Sequence, residues 1–328
     1  MNNAAIIGCG NIGCELSKYK PGLIITHLEA YKKLGVKVIG VCDIDIEKAK
    51  RYSKNAFSNY KDLLRQKPTI VSVCTPDDTH YEILKEITKH SSIKGIWAEK
   101  PFTKNLKQAD EIIKICKKKK IKLMVNHFRR YDDFYISVKK KMGLLGKIQR
   151  VVCYYSGGIV TVGSHLLDLL DLLFGRCQSV DGLHLKFKGF YVDLIPVKGI
   201  SIMEIDIMGD EGRLDLISKP FGRYDYRFYK AKKDKIGTKY FDSIQKEIFS
   251  KDVKRDFFEK GLKDLIKSIK ENKEPISSAV VSRKSLELIC AISYSIKHKK
   301  SVKLPFKNKK FMIPKAQGDI KKWENQQS

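Results

Sequence analysis

No apolar run in this 328-residue chain approaches the roughly 20 residues that span a bilayer as a helix, so a helical membrane protein is not expected. The first apolar stretch begins at residue 4, so a signal peptide is not expected, and the expected compartment is the cytoplasm. The eight cysteines form no CxxC pair and stand at no metal-ligand spacing with histidine, so no metal site is expected. Cys42, Cys74, Cys153 and Cys290 sit in apolar runs and read as small core residues of a reducing compartment. Internal repeats and low-complexity segments are absent, which argues against a solenoid or a disordered linker protein.

Acidic residues are also scarce, 37 against 65 basic, for a formal charge of +28. Such an excess raises the question of nucleic acid. The basic residues are mostly lysines on the polar faces of expected helices, in runs such as 117–120 and 139–141. Arginine and aromatic residues are not interleaved as a base-stacking platform requires, so nucleic acid is not the expected partner. The surplus suits a lysine-biased composition or an anionic small-molecule substrate.

What the chain does have is Gly8-Cys9-Gly10-Asn11-Ile12-Gly13, directly after the apolar run Ala4-Ala5-Ile6-Ile7. A buried strand, a tight glycine turn and a helix start in that order form a dinucleotide cradle. Gly8 permits the turn, Gly10 lets a pyrophosphate approach the backbone, and Gly13 lets helix and strand pack closely. A second apolar run, 36–41, ends at Asp43, where a carboxylate binds a ribose hydroxyl and repels a 2′-phosphate. The expected cofactor is therefore NAD, with NADP disfavoured. Asp43 lies 30 positions after Gly13, more than the usual gap of roughly 20, and Tyr19-Lys20-Pro21-Gly22 reads as an inserted loop that accounts for the excess.

Strand-like segments at 4–8, 36–42, 69–74, 94–98 and 121–125 alternate with helical patterns such as 78–89 and 106–119. The strands are apolar throughout, as parallel strands buried on both faces must be. This predicts a doubly wound α/β Rossmann domain over 1–126. Ligands of such sheets bind beyond the carboxyl ends of the strands, which marks Thr75, Pro76 and His80, then Glu99 and Lys100, then Arg130, as site candidates. From about 147 the pattern changes to strands at 148–155, 180–187, 200–208 and 212–217, interrupted by an apolar helix at 164–174 and followed by helices at 256–271 and 282–297. Residues 127–328 are thus expected to form an α+β domain with an open, mostly antiparallel sheet.

Four motifs in this order resemble the glucose–fructose oxidoreductase/inositol dehydrogenase (Gfo/Idh/MocA) family: the Gly8–Gly13 turn, Thr75-Pro76 with His80, Glu99-Lys100-Pro101, and Gly163-Ser164-His165-Leu166-Leu167-Asp168 ahead of Phe174-Gly175. The resemblance implies nicotinamide-dependent hydride transfer on a sugar or sugar derivative, with Lys100 and His165 handling the hydroxyl proton. Asp168, one helical turn after His165, either orients the imidazole or binds a substrate hydroxyl. It also implies cofactor contacts from Gly8, Gly10, Asn11, Ile12, Gly13, Asp43, Thr75, Pro76, His80, Glu99 and Lys100, and homo-oligomers formed through the second sheet. Pro101 suggests a cis peptide that aims Lys100. Arg130 either contacts substrate or anchors the interdomain hinge.

One position departs from the family pattern: Thr161 stands where many of its dehydrogenases carry an Asp four residues before the histidine. A hydroxyl binds substrate but is a poor proton acceptor. The surrounding segment is more similar to a branch found among polysaccharide-biosynthesis proteins, which favours a nucleotide-sugar over inositol or glucose. Two other readings keep the fold: a non-catalytic NAD-binding regulator, and a sugar enzyme that recycles NAD internally.

Overall fold

The computed structural model describes residues 3–16, 23–219, 223–247 and 256–315. Residues 19–22, read as an inserted loop, and most of the polar tail lie outside the described residues. The chain divides into two compact units, residues 1–132 with 255–283, and residues 133–254 with 284–328.

The first unit is built on six parallel strands, β1 (Asn3–Ile7), β2 (Lys37–Cys42), β3 (Ala56–Phe57), β4 (Ile70–Val73), β5 (Gly95–Ala98) and β6 (Lys122–Val125), in the order β3-β2-β1-β4-β5-β6. Five of these match the expected strands to within one residue at each end; the two-residue β3 was not expected. The order reverses between β1 and β4, which makes the carboxyl edge at that point the place for a ligand. The connecting helices are α1 (His27–Lys33), α2 (Ile46–Lys50), α3 (Tyr60–Arg65), α4 (His80–Ile87) and α5 (Leu106–Lys119). Side chains start several of them: Thr26 accepts from the Glu29 amide at 3.2 Å, and Asn105 accepts from the Gln108 amide at 2.9 Å. In α5 the buried face is Leu106, Ala109, Ile112 and Cys116, at helical spacing, with lysines on the other side.

The described part of the first helical segment is interrupted. A short helical turn, Asn11–Glu15, follows the glycine loop, and α1 begins only at His27. The core beneath the sheet joins Ala4, Ile6, Tyr31, Val41, Ile70, Trp97 and Met124 to Phe258, Leu262 and Leu265.

The second unit contains α6 (Asp133–Lys141) and α7 (Gly163–Phe174) with nine strands: β7 (Ile148–Tyr155), β8 (Ser179–Asp181), β9 (His184–Lys186), β10 (Tyr191–Pro196), β11 (Met203–Gly209), β12 (Gly212–Lys219), β13 (Arg223–Lys233), β14 (Lys239–Glu247) and β15 (Val302–Lys303). Their order is β14-β13-β12-β11-β7-β10-β9-β8-β15. All pairings are antiparallel except β7 with β10, so the expected open, mostly antiparallel sheet is what forms. The segment expected as one strand at 180–187 is instead a hairpin, because Gly182 adopts a positive φ of 54° and turns the chain.

Two further helices are α8 (Phe257–Glu271) and α9 (Ala279–His298). The division differs from the boundary expected at 126/127, because α8 belongs to the first unit. Its apolar face, Phe258, Leu262 and Leu265, joins the core that holds Trp97 of β5 and Met124 of β6. Sequence position alone placed it in the second domain. No helix among the described residues is long and apolar enough to cross a membrane, and no group of His, Cys, Asp or Glu among them is placed to hold a metal ion.

Candidate functional site

The glycine loop lies at the carboxyl end of β1, and its three glycines answer to three different constraints. Gly8 has φ +96°, and a Cβ there would lie 2.6 Å from the Cys74 carbonyl group. A Cβ on Gly13 would lie 2.1 Å from the Gly8 oxygen. Gly10 meets nothing closer than the Lys48 ammonium, 3.9 Å from where its Cβ would be. The first two glycines are demanded by the fold itself. Gly10 faces open space that a Cβ would fill, which is the cradle a pyrophosphate requires. Ile12 packs on the core and Asn11 is exposed.

Asp43, just beyond β2, accepts from the Cys9 amide through Oδ2 at 2.8 Å and from the Asp45 amide through Oδ1 at 3.1 Å. This carboxylate thereby ties the end of β2 to the glycine loop, and its spare lone pairs can accept ribose hydroxyls. Lys48 in α2, paired with Glu15 at 3.7 Å, is a cation beside Gly10 that sequence reading missed. Only the fold of α2 brings it there. The residues present therefore fit a dinucleotide: an open glycine cradle, a cation next to it and a ribose-directed carboxylate.

Along the same edge, the segment after β4 supplies Thr75 and Pro76, whose hydroxyl and carbonyl oxygens each accept from the Thr79 hydroxyl at 2.7 Å. His80 is buried. Its Nδ1 lies 2.8 Å from the Pro101 carbonyl and its Nε2 lies 2.8 Å from the Thr75 carbonyl. A neutral imidazole donates to only one of them. The ring thereby braces the loops after β4 and β5 against each other, the two loops in which the expected cofactor contacts lie. Lys104 and Asp77, paired at 2.8 Å, clamp the same two loops.

After β5 come Glu99 and Lys100, and the Lys100-Pro101 peptide is cis. Lys100 is partly buried. Burial is the main reason its ammonium sits below the ordinary lysine range, with the Arg129 charge adding to it and Glu99 and Asp77 opposing. The Glu99 side chain is buried and hydrogen-bonded within the protein. Its Oε1 accepts from Asn126 Nδ2 at 2.5 Å and pairs with His27 Nε2 at 3.1 Å, while Oε2 lies 3.4 Å from the Lys100 amide. Burial opposes ionisation of Glu99, but these bonds and the neighbouring positive charge more than offset it and hold the carboxyl below its usual range. His27 is the second residue that sequence reading missed. It lies 72 positions from Glu99, and no local spacing announces the pair.

After β6, His127 and Arg130 are both buried. Burial lowers the His127 imidazole to about 3, and the charges of Arg130 and Lys100 add to the effect. Folded, this ring takes a proton only near that value, whereas in the unfolded chain it does so at about 6.5. Between the two values the unfolded state binds the extra proton, so stability conferred by the neutral ring is complete above about 6.5 and is lost as pH falls toward about 3. Urea midpoints are therefore expected to fall between pH 7 and pH 4, and to fall less in His127→Gln. Equal acid sensitivity of the two proteins would refute this.

In the second unit, α7 carries His165, partly buried, and Asp168, fully buried. The turn before it holds Thr161, whose hydroxyl donates to the Gly158 carbonyl at 3.3 Å. The first residues of α7 pack closely: a Cβ on Gly163 would lie 3.1 Å from the Gly158 oxygen.

Comparison with known proteins is consistent with this geometry. Residues 2–127 match the family model described as "Oxidoreductase family, NAD-binding Rossmann fold". An uncharacterised oxidoreductase, YhhX of Escherichia coli (strain K12), is 30% identical over 153 residues, 41% of this chain and 44% of its own length. The chain thus spans less than half the length of the curated relatives it matches first. Among solved structures, levoglucosan dehydrogenase in complex with NADH superposes with a TM-score of 0.75 at 16% identity, covering 93% of this chain and all of that one. WlbA dehydrogenase from Bordetella pertussis, with NADH and UDP-GlcNAcA, gives 0.70 at 17% identity, covering 93% and 99%. At these identities the two structures show a shared fold.

Proposed function

Through residues 2–127 this chain belongs to the Gfo/Idh/MocA oxidoreductases with their NAD-binding Rossmann fold, and from that premise we propose that it moves a hydride between NAD and a hydroxyl or keto carbon of a sugar, with a nucleotide-sugar as the favoured substrate class. Surface-polysaccharide synthesis in the cytoplasm is the proposed setting. The observation that carries the reading is Lys100. It is an amine on the strand edge that bears the glycine cradle, and burial holds it below its ordinary range. Bound to this domain, the nicotinamide supplies the two-electron acceptor for the hydride. In the oxidation direction Lys100, as free amine, takes the hydroxyl proton while the C–H bond breaks; in reduction its ammonium returns it. His165 and Asp168 are the other proposed catalytic residues. Arg130 and Thr161 are proposed for substrate binding.

Two considerations favour a nucleotide-sugar. The charge of +28 attracts a diphosphate, and the fold is shared with a dehydrogenase solved with UDP-GlcNAcA. The test is a panel of UDP- and dTDP-sugars, hexoses and inositols incubated with the protein and NAD or NADH, followed by the absorbance of reduced nicotinamide. Turnover is expected with at least one nucleotide-sugar. Thr161 favours a second reading, a cofactor-binding regulator, because its hydroxyl is engaged with Gly158 and cannot act as a carboxylate base. Tight NADH binding with no turnover across the panel supports that reading and overturns the first.

A further inference from the structure

A file of buried polar groups runs behind the sheet edge, apart from the residues assigned to the reaction. The Tyr31 hydroxyl lies 2.8 Å from the Ser72 hydroxyl, Ser72 lies 2.9 Å from His27 Nδ1, and His27 Nε2 lies 3.1 Å from Glu99. Tyr31, Ser72 and His27 are wholly buried, on α1, β4 and α1. Only one arrangement of protons satisfies every member while the imidazole is neutral. Tyr31 donates to Ser72, Ser72 donates to Nδ1, and Nε2–H donates to the carboxylate. The opposite tautomer would set the Nε2 lone pair against a carboxylate oxygen. Burial keeps this imidazole below its ordinary range, which fits the neutral ring.

The file ends on the residue next to Lys100. We propose that His27 is a positioning residue: its Nε2–H bond, with the one from Asn126, fixes the Glu99 carboxylate in place beside Lys100, so that the core sets how readily that amine holds a proton. The role given to Lys100 is the premise, so the inference rests on the proposed reaction. The alternative role for His27 is packing. Its ring lies 3.8 Å from Trp97 and meets Phe258 edge-on at 5.7 Å, and any side chain of similar size would serve that purpose. The hydrogen-bonding direction separates the two.

The charged and titratable groups around Lys100 include Glu99 on its own loop, Asp77 after β4, and Arg129 and His127 after β6. Around His27 and Glu99 they include Tyr31 from α1 and Cys74 after β4, with uncharged Ser72, Trp97, Asn126 and Phe258 among the neighbours. Losing the Nε2–H donor leaves burial less opposed and moves the Glu99 carboxyl toward its neutral form, which is no counter-ion. The Lys100 ammonium is then less favoured, and more free amine exists at any given pH.

The test labels Lys100 with 1-fluoro-2,4-dinitrobenzene in the full chain across a pH series, without substrate, and reads the Lys100 peptide by mass spectrometry. His27→Gln keeps a donor near the Nε2 position, whereas His27→Asn places its amide near Nδ1 and offers Glu99 nothing. The Gln variant is expected to follow the wild-type profile. The Asn variant is expected to shift to lower pH and, below the wild-type midpoint, to label faster than the wild type, by no more than Glu99→Gln does. Glu99→Gln, which keeps His27 and the packing, is expected to shift the same way and answers for the Asn variant if that protein does not fold. Equal shifts in His27→Gln and His27→Asn would reduce His27 to packing, and wild-type profiles in all three variants would overturn the proposal. Labelling needs no turnover, so failure of the substrate panel and failure of this test are separate results.

Discussion

Lys100→Ala is expected to bind NADH as the wild type does and to lose about 10²- to 10⁴-fold in kcat/KM, the span that a positioned proton acceptor contributes. The fold gives the reason for separating the two effects. The residues proposed for the phosphates and adenosine ribose are the loop after β1 and Asp43 after β2, whereas Lys100 follows β5, beyond the switch point of the sheet. The ammonium is disfavoured chiefly by burial, so oxidation by the wild type is expected to rise with pH through a midpoint below the ordinary lysine value of about 10.4. That basic limb should vanish in Lys100→Ala. Lys100→Arg keeps the charge but cannot release its proton near neutrality, and it is expected to be as inactive as the alanine variant. NADH titration by fluorescence and steady-state rates on any substrate from the panel decide the matter. Full activity in either variant removes Lys100 from the chemistry.

The parts of this design that can be read from the sequence are those in which one residue type meets one local demand. Strands buried on both faces must be apolar throughout, so β1, β2, β4, β5 and β6 announce themselves to within a residue. The glycines of the cradle and the carboxylate after β2 are legible for the same reason. The second sheet is harder. β13 carries Lys230, Lys232 and Lys233 and pairs with β14, which begins at Lys239 and runs to Lys246 and Glu247, so neither shows the apolar run that marks a buried strand. β10 alternates buried Val192 and Leu194 with exposed Tyr191 and Ile195, a short pattern that reads equally as loop. Partnerships across the fold leave no local mark at all. His27 finds Glu99, Lys48 finds Gly10 and α8 finds the core below β5 and β6, each across a long stretch of chain. The residues nearest the proposed chemistry are thus legible by motif, while those that hold them in place emerge only from the topology.

Replacing Gly10 and Gly13 separately by alanine is expected to give two different failures from one loop. At Gly13 the new Cβ would stand 2.1 Å from the Gly8 oxygen and 3.2 Å from its carbonyl carbon, both backbone atoms that cannot turn aside. The loop or the following helical turn must move, at a cost of about 1–3 kcal/mol typical of overpacking, so Gly13→Ala should lower the urea midpoint and weaken NADH binding together. At Gly10 the nearest atom is the end of the flexible Lys48 side chain, 3.9 Å away. Gly10→Ala should therefore fold with the wild-type urea midpoint, yet bind NADH at least about tenfold more weakly, because the methyl group occupies the space the pyrophosphate needs. Stability and affinity part company at one glycine and fall together at the other only if the open side of the loop is where the dinucleotide lies. Unchanged NADH affinity in Gly10→Ala would place the cofactor elsewhere and take with it the reading built on this edge of the sheet.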